Sequence, residues 1–342
     1  MLGVQVVSFD AERPLDGLFV GEVDEPTVLD GWVTIDVRAA ALNHHDLWSL
    51  RGVGLRAEQL PMTLGCDAAG VDPDGNEVIV HAVIGDPDAG GGDETLDPRR
   101  SLLSERWPGT LAERVMVPRR NVVAKPSSLT FAEAACLPTA WLTAYRMLFT
   151  RASLRPGDTV LVQGVGGGVA TALISLARAA GLRVWATSRS ADKRARALEL
   201  GAHASFAPDE RLPARVDAVM ETVGRATWSQ SVRALRPGGE IVVSGATTGD
   251  DPPADLTQVF FLQRSVIGST MGTRAELERL VSFVDVTGLR PVIDSVRPLA
   301  EARSAFAEML AGEQVGKLVL TVGDCTRPFC PRDPRSDRSV PK

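Results

Sequence analysis

Two stretches of this chain carry residue types whose spacing suits chemistry. The first is Val160-Leu161-Val162-Gln163-Gly164-Val165-Gly166-Gly167-Gly168-Val169-Ala170. An apolar run leads into four glycines, and small residues follow. Glycine lets the backbone turn tightly and lets a pyrophosphate approach the amides. The helix that follows aims its unpaired N–H groups and the positive end of its dipole at that anion. Counted back from Ala170 the spacing is Val165-x-Gly167-x-x-Ala170, which departs from GxGxxG at its first position. A plain glycine turn would look the same in isolation. A strand before it, a helix after it and alternating elements beyond it make it a dinucleotide loop, with Gly164, Gly167, Gly168 and Val169 as candidate contacts.

The tip of the next strand distinguishes the two dinucleotides. Val184-Trp185-Ala186-Thr187 ends in Ser188-Arg189-Ser190, with Lys193 following. An acid at this tip would bind the ribose 2′-hydroxyl of NAD. None is present; a hydroxyl and two cations suit a 2′-phosphate, which arginine meets as a fork of donors. The pattern points to NADP(H), with Ser188, Arg189 and Lys193 as contacts. The competing reading is a solvated helix start with exposed cations.

The second stretch is Asn43-His44-His45-Asp46-Leu47-Trp48, directly after a predicted strand. The Asn43 amide can donate to developing oxyanion charge. His44, His45 or Asp46 could relay a proton. Trp48 and Trp141 could form a flat apolar wall for a conjugated substrate, or they could be ordinary packing.

These residues need a large scaffold, and 342 residues suffice for two domains. A hydrophobic fraction of 44% and a charged fraction of 23% are those of a globular protein. The net charge of −6 gives no reason to expect nucleic acid or an anionic membrane as partner. Four cysteines, Cys66, Cys136, Cys325 and Cys330, form neither a disulfide framework nor a CxxC pair. Without a basic, apolar leader or an apolar run of about 18 residues, the cytoplasm is the expected compartment.

Residues 1–125 contain short strand-like runs, such as Trp32–Ala41 and Leu111–Val117, separated by turns. They read as a β-rich domain. Residues 126–269 alternate strands with helices, which implies right-handed crossovers and a doubly wound parallel sheet in an α/β architecture. Residues 270–323 are expected to return toward the first domain, and 324–342, rich in proline and arginine, to be a disordered tail.

The order of these regions resembles the medium-chain dehydrogenase/reductase superfamily. The resemblance spans residues 1–322. It is carried by Arg38-Ala39-Ala40-Ala41-Leu42-Asn43-His44-His45-Asp46-Leu47, Leu64-Gly65-Cys66-Asp67-Ala68-Ala69-Gly70, Gly109-Thr110-Leu111-Ala112-Glu113, Leu137–Tyr145, the glycine loop and Gly316-Lys317-Leu318-Val319. It implies a GroES-like catalytic domain and a Rossmann nucleotide-binding domain, with the nicotinamide near Asn43, Asp46, Trp48 and Thr143. Ser244, Gly245 and Lys317 would be further cofactor contacts, and a homodimer the common assembly. The superfamily's zinc ligands fall on Asn43, Cys66 and about Thr139, and the loop 85–106 lacks the four cysteines of its structural zinc lobe. Amide and hydroxyl are poor replacements for thiolate and imidazole, so no metal is expected. The implied activity is that of the zinc-free quinone oxidoreductases and enoyl reductases: NADPH-dependent reduction of a small quinone or α,β-unsaturated carbonyl. Two alternatives stay open. One is an alcohol dehydrogenase with atypical zinc ligation by His44, His45, Cys66 and Asp67; the other is an NADPH-binding sensor without turnover.

Overall fold

The computed structural model describes residues 1–208 and 210–323. The tail 324–342, expected to be disordered, lies outside the described residues. The chain forms two compact units, residues 1–138 with 293 onward, and residues 139–292.

Among the described residues the first unit is built on two larger sheets and a two-stranded ladder of Val83–Ile84 with Ser101–Leu102. Leu2–Val6 pairs with Leu18–Glu22 and Met62–Thr63. The larger sheet runs in the order Val122–Ala124, Glu77–Val80, Asp67–Val71, Trp32–Ala41, Lys317–Thr321, Ile293–Pro298, with Arg114–Pro118 also on Trp32–Ala41. Along Trp32–Ala41 the alternation of the first seven residues gives way to Ala39, Ala40 and Ala41, all buried. The end of the strand is therefore covered on both faces, and the chemistry-bearing segment 43–48 leaves from it. Lys317–Thr321 is antiparallel to this strand, with Val319 opposite Ala41. A residue some 270 positions away in sequence thus arrives beside Asn43.

The second unit holds a six-stranded parallel sheet in the order Ala204–Phe206, Arg183–Thr187, Thr159–Val162, Val216–Glu221, Leu235–Val243, Ser265–Gly268. Numbered along the chain this is 3-2-1-4-5-6, the doubly wound order in which ligands bind at the carboxyl edge, where the strand order reverses. Thr159–Val162 lies next to that reversal and is buried throughout, as a strand covered on both faces must be. Leu161, Trp185, Phe206, Val219 and Trp228 form one layer of its core, with the Trp185 and Phe206 rings edge to face at 5.8 Å.

The units divide at 138/139 and 292/293, whereas composition and periodicity put the boundaries at 125 and 269. The helix Arg274–Thr287 packs on Leu142–Tyr145, and the buried pair Arg146–Glu276 at 2.7 Å ties the next residue along to the same helix. Composition does not register such a contact. No helix among the described residues is long and apolar enough to cross a membrane.

Candidate functional site

The glycine loop connects Thr159–Val162 to the helix Gly168–Ala179, whose N-cap is Gly167. Gly164 and Gly166 have φ of +71° and +147°, conformations that strain any side chain. A Cβ on Gly164 would stand 2.5 Å from Val223, and one on Gly166 would stand 2.9 Å from Lys193 Nζ. The loop is thus packed from below and beside. A Cβ on Gly167 would meet nothing within 4 Å, so this side is open. The amides of Gly164 and Val165 are turned inward, to Thr187 Oγ1 at 3.5 Å and Thr187 O at 3.0 Å. The first amides of the helix, those of Gly168 and Val169, have no intrahelical acceptor. The cradle fits a pyrophosphate.

Beside it, the strand Arg183–Thr187 delivers Ser188, Arg189 and Ser190. Ser190 caps the helix Ala191–Glu199, accepting from Lys193 N at 3.3 Å. Arg189 is exposed and Ser188 buried. Arg194, which sequence reading passed over, donates to Ser188 O at 2.7 Å and Arg189 O at 3.1 Å, and so stiffens the tip. Ser244 and Gly245 follow Leu235–Val243 at the same carboxyl edge, with Ser244 N bonded to Glu221 O at 3.0 Å. Thr143 is buried on Leu142–Tyr145, between wider π-type turns at Leu137–Trp141 and Arg146–Arg151. Trp141 is fully buried and packs as core.

In the first unit the helix His44–Leu50 starts at Asn43. Asp46 is fully buried. Its carboxylate accepts Asn43 N at 2.8 Å and Gly65 N at 3.0 Å, and so ties the helix start to the loop before Cys66. Burial raises its pKa, against the pull of His45 and the Asn43 amide. With both oxygens committed to backbone donors, Asp46 holds the turn in this structure, which makes it the least available of the three relay candidates His44, His45 and Asp46.

Asn43 is equally engaged. Its Nδ2 donates to Asp67 Oδ2 at 2.9 Å and Ala41 O at 3.3 Å, and its Oδ1 accepts from Lys317 at 2.6 Å. Lys317 Nζ also reaches Leu42 O at 2.6 Å and Asp67 Oδ2 at 2.9 Å. An ammonium has three hydrogens, and all three point to protein acceptors. Lys317, expected as a cofactor contact, is therefore an internal strut. The other Asp67 oxygen, Oδ1, is buried without a partner among the described residues.

His45 stands apart from this network. Its Nε2 lies 2.9 Å from Glu105 Oε1, and its side chain is 25% exposed, intermediate between exposed His44 and buried Asp46. Its Nδ1 makes only long contacts, to Ser104 Oγ at 3.4 Å and Cys66 Sγ at 3.7 Å. Burial works against a charged ring here, but the neighbouring Cys66 and the bond to Glu105 outweigh it, and the pKa is pushed up. Cys66 itself is buried and bonds Leu103 O at 3.3 Å. Nothing in the sequence flagged Glu105; it sits in a polar loop 60 positions from His45, and only the fold joins them.

The zinc that the superfamily resemblance brings to mind can be tested against these donors. The Asn43 oxygen already faces a lysine ammonium at 2.6 Å, which would repel a second cation. Cys66 is engaged with Leu103, Ser104 and His45. Among the described residues no group of three or more His, Cys, Asp or Glu is arranged to hold a metal ion. The residues present do not fit a catalytic zinc.

A β-rich unit with a polar segment leaving its longest strand, and a doubly wound unit with a glycine cradle, define a two-domain nicotinamide-dependent dehydrogenase architecture. Residues 29–127 match the alcohol dehydrogenase GroES-like domain family and residues 168–285 the zinc-binding dehydrogenase family. The chain is 31% identical over 327 residues to the mouse (Mus musculus) synaptic vesicle membrane protein VAT-1 homolog, covering 86% of this chain and 77% of that protein. It is 30% identical to the acryloyl-coenzyme A reductase of Metallosphaera sedula, covering 89% of this chain and 96% of that one. A solved NAD-dependent alcohol dehydrogenase superposes with a TM-score of 0.86 at 33% identity, covering 94% of this chain and all of that one. The chain belongs to the medium-chain dehydrogenase/reductase superfamily, as a GroES-like domain joined to a Rossmann domain.

Proposed function

We propose that the protein is an NADPH-dependent oxidoreductase that reduces a conjugated carbonyl, an α,β-unsaturated carbonyl compound or a quinone, without metal. The observation that carries this reading is the Asn43–Lys317–Asp67 network, which sets an ammonium against Asn43, one of the positions that the superfamily resemblance gives to a zinc ligand. A conjugated acceptor needs less electrophilic help than a simple ketone, because its π-system spreads developing charge onto oxygen. The relative named for acryloyl-coenzyme A, itself a conjugated thioester, supports the same acceptor class.

The nicotinamide cofactor supplies the hydride. The amides of Gly168 and Val169 hold its pyrophosphate, Ser188 and Arg189 with Lys193 hold the 2′-phosphate, and Thr143, Ser244 and Gly245 border the remainder. His45 is the substrate-facing group. Glu105 keeps its Nε2 in place, while the weakly engaged Nδ1 turns to the acceptor oxygen and stabilises the charge that develops there. Trp48 flanks the ring or double bond, and Asn43 and Asp46 fix the segment that presents both. A second copy of this chain covers the apolar face formed by Phe260, Phe261 and Val266, which are 68%, 75% and 50% exposed beside the edge strand Ser265–Gly268, giving a homodimer.

Steady-state oxidation of NADPH across a panel of quinones and enones, with ketones as controls, tests the reading. Turnover of conjugated acceptors but not of saturated ketones is expected. Oxidation of simple alcohols as the preferred reaction, or no turnover with any acceptor, would overturn it.

A further inference from the structure

Four buried side chains near the glycine loop, Gln163, Thr187, Glu221 and Ser231, have no part in the cofactor contacts proposed above. The Glu221 carboxylate is fully buried. It accepts the backbone N–H of Val223 at 2.8 Å and of Gly224 at 3.0 Å, the Thr227 hydroxyl at 2.9 Å and the Ser231 hydroxyl at 2.6 Å. Every partner donates, so the carboxylate serves only as an acceptor, and this fixes the sense of the bonds beyond it. Ser231 spends its proton on Glu221 and must accept from Gln163 Nε2, 3.0 Å away. That sets the Gln163 amide, whose second Nε2 hydrogen faces Gln230 Oε1 at 3.3 Å and whose Oε1 accepts from the Thr187 hydroxyl. With its proton spent, Thr187 Oγ1 can only accept, and the amide it faces is Gly164 N at 3.5 Å. The backbone carbonyl of Thr187 takes the next amide, Val165 N, at 3.0 Å.

We propose that this one-way chain, from Gly164 through Thr187, Gln163 and Ser231 to Glu221, holds the glycine loop in its cofactor-receiving shape, and that these four are positioning residues for the dinucleotide. It joins three elements that must agree for the cofactor to bind: the loop, the strand tip preceding Ser188, and the Val223–Gly224 turn that packs against Gly164. By turning two loop amides inward, it leaves the following ones to the phosphates. A buried chain of this kind is cooperative, since one missing hydroxyl leaves its neighbours unsatisfied. The inference rests on the reading that this unit binds a nicotinamide dinucleotide.

The test compares Thr187→Val, which keeps the shape and loses the hydroxyl, with Thr187→Ser, which keeps the hydroxyl. Two quantities are measured: the Kd for NADPH and for NADH, and amide hydrogen exchange across residues 164–169 without cofactor. Thr187→Val is expected to raise the Kd up to about tenfold, the scale of one net hydrogen bond, and to speed exchange in the loop. Thr187→Ser should stay within about twofold on both. If Thr187→Val matches Thr187→Ser in affinity and exchange, the proposal is overturned, whatever its melting temperature. Should Thr187→Val fail to fold, Ser231→Ala replaces it, and parental loop exchange and affinity in that variant overturn the proposal equally. Because both cofactors are measured, a parent that prefers NADH defeats the NADPH reading alone and leaves this comparison intact.

Discussion

Lys317 Nζ lies 2.6 Å from Asn43 Oδ1 and 2.9 Å from Asp67 Oδ2, with both Lys317 and Asp67 buried. The ammonium thus balances a buried carboxylate and orients the amide between them. Removing one member of a buried pair leaves an uncompensated charge, which costs about 3–5 kcal/mol. Lys317→Met is therefore expected to lower Tm sharply, and Asn43→Ala to cost about 1–3 kcal/mol by leaving its partners unsatisfied. Denaturant melts of both variants and of Lys317→Met/Asp67→Leu check this: the double variant should recover part of the loss. Additive losses would show that the pair is not coupled.

His45 and Glu105 should govern turnover rather than cofactor affinity. Glu105→Gln is expected to lower kcat/KM for an enone by about tenfold and His45→Phe by about a hundredfold or more, within the range for loss of an oxyanion donor. NADPH binding, measured by fluorescence, should change little. Normal turnover in both variants would remove His45 from the reaction.

His45 also sets a pH dependence, because Cys66 and, to a lesser degree, Glu105 hold its proton against burial. His45 is raised from an ordinary value of 6.5 to about 11, so its proton is retained through neutral pH. The stability it contributes is fully present below pH 6.5 and fades as pH rises through the shifted value. His45→Phe should narrow the Tm difference from the parent between pH 7 and pH 10, as alkali removes the parent's advantage. A parent advantage that grows with pH would contradict the sign.

Arg189→Ala should weaken NADPH by about ten- to a hundredfold and leave NADH nearly unchanged, because a lost charge-assisted bond to phosphate is worth about 1.5–3 kcal/mol. Isothermal titration with both cofactors measures this. Equal binding of both by the parent would sink the assignment.

Elemental analysis of purified protein should find no stoichiometric zinc, and activity should survive a chelator. The reason is the donor set: an Asn43 amide facing an ammonium, and Cys66 held by its neighbours. About one zinc per chain, with activity lost on chelation and restored by metal, would refute it.

The sequence by itself determined the elements. The run Val160–Val162, four glycines and a helix of small residues admit one local fold, and the strand Trp32–Ala41 and helix near 168–179 follow from periodicities that local sterics enforce. The superfamily motifs were legible for the same reason, being short and local. Tertiary structure alone decided what each side chain faces. Asp46 is one of three relay candidates by residue type and Lys317 a cofactor contact by resemblance, yet the fold gives each a full set of internal partners. Glu105 reaches His45, and Glu221 reaches Gln163 through Ser231, across separations that no periodicity encodes. Whether a polar group is free or satisfied depends on strands and loops brought together across the sheet, and that pairing is a property of the packed chain rather than of any segment within it.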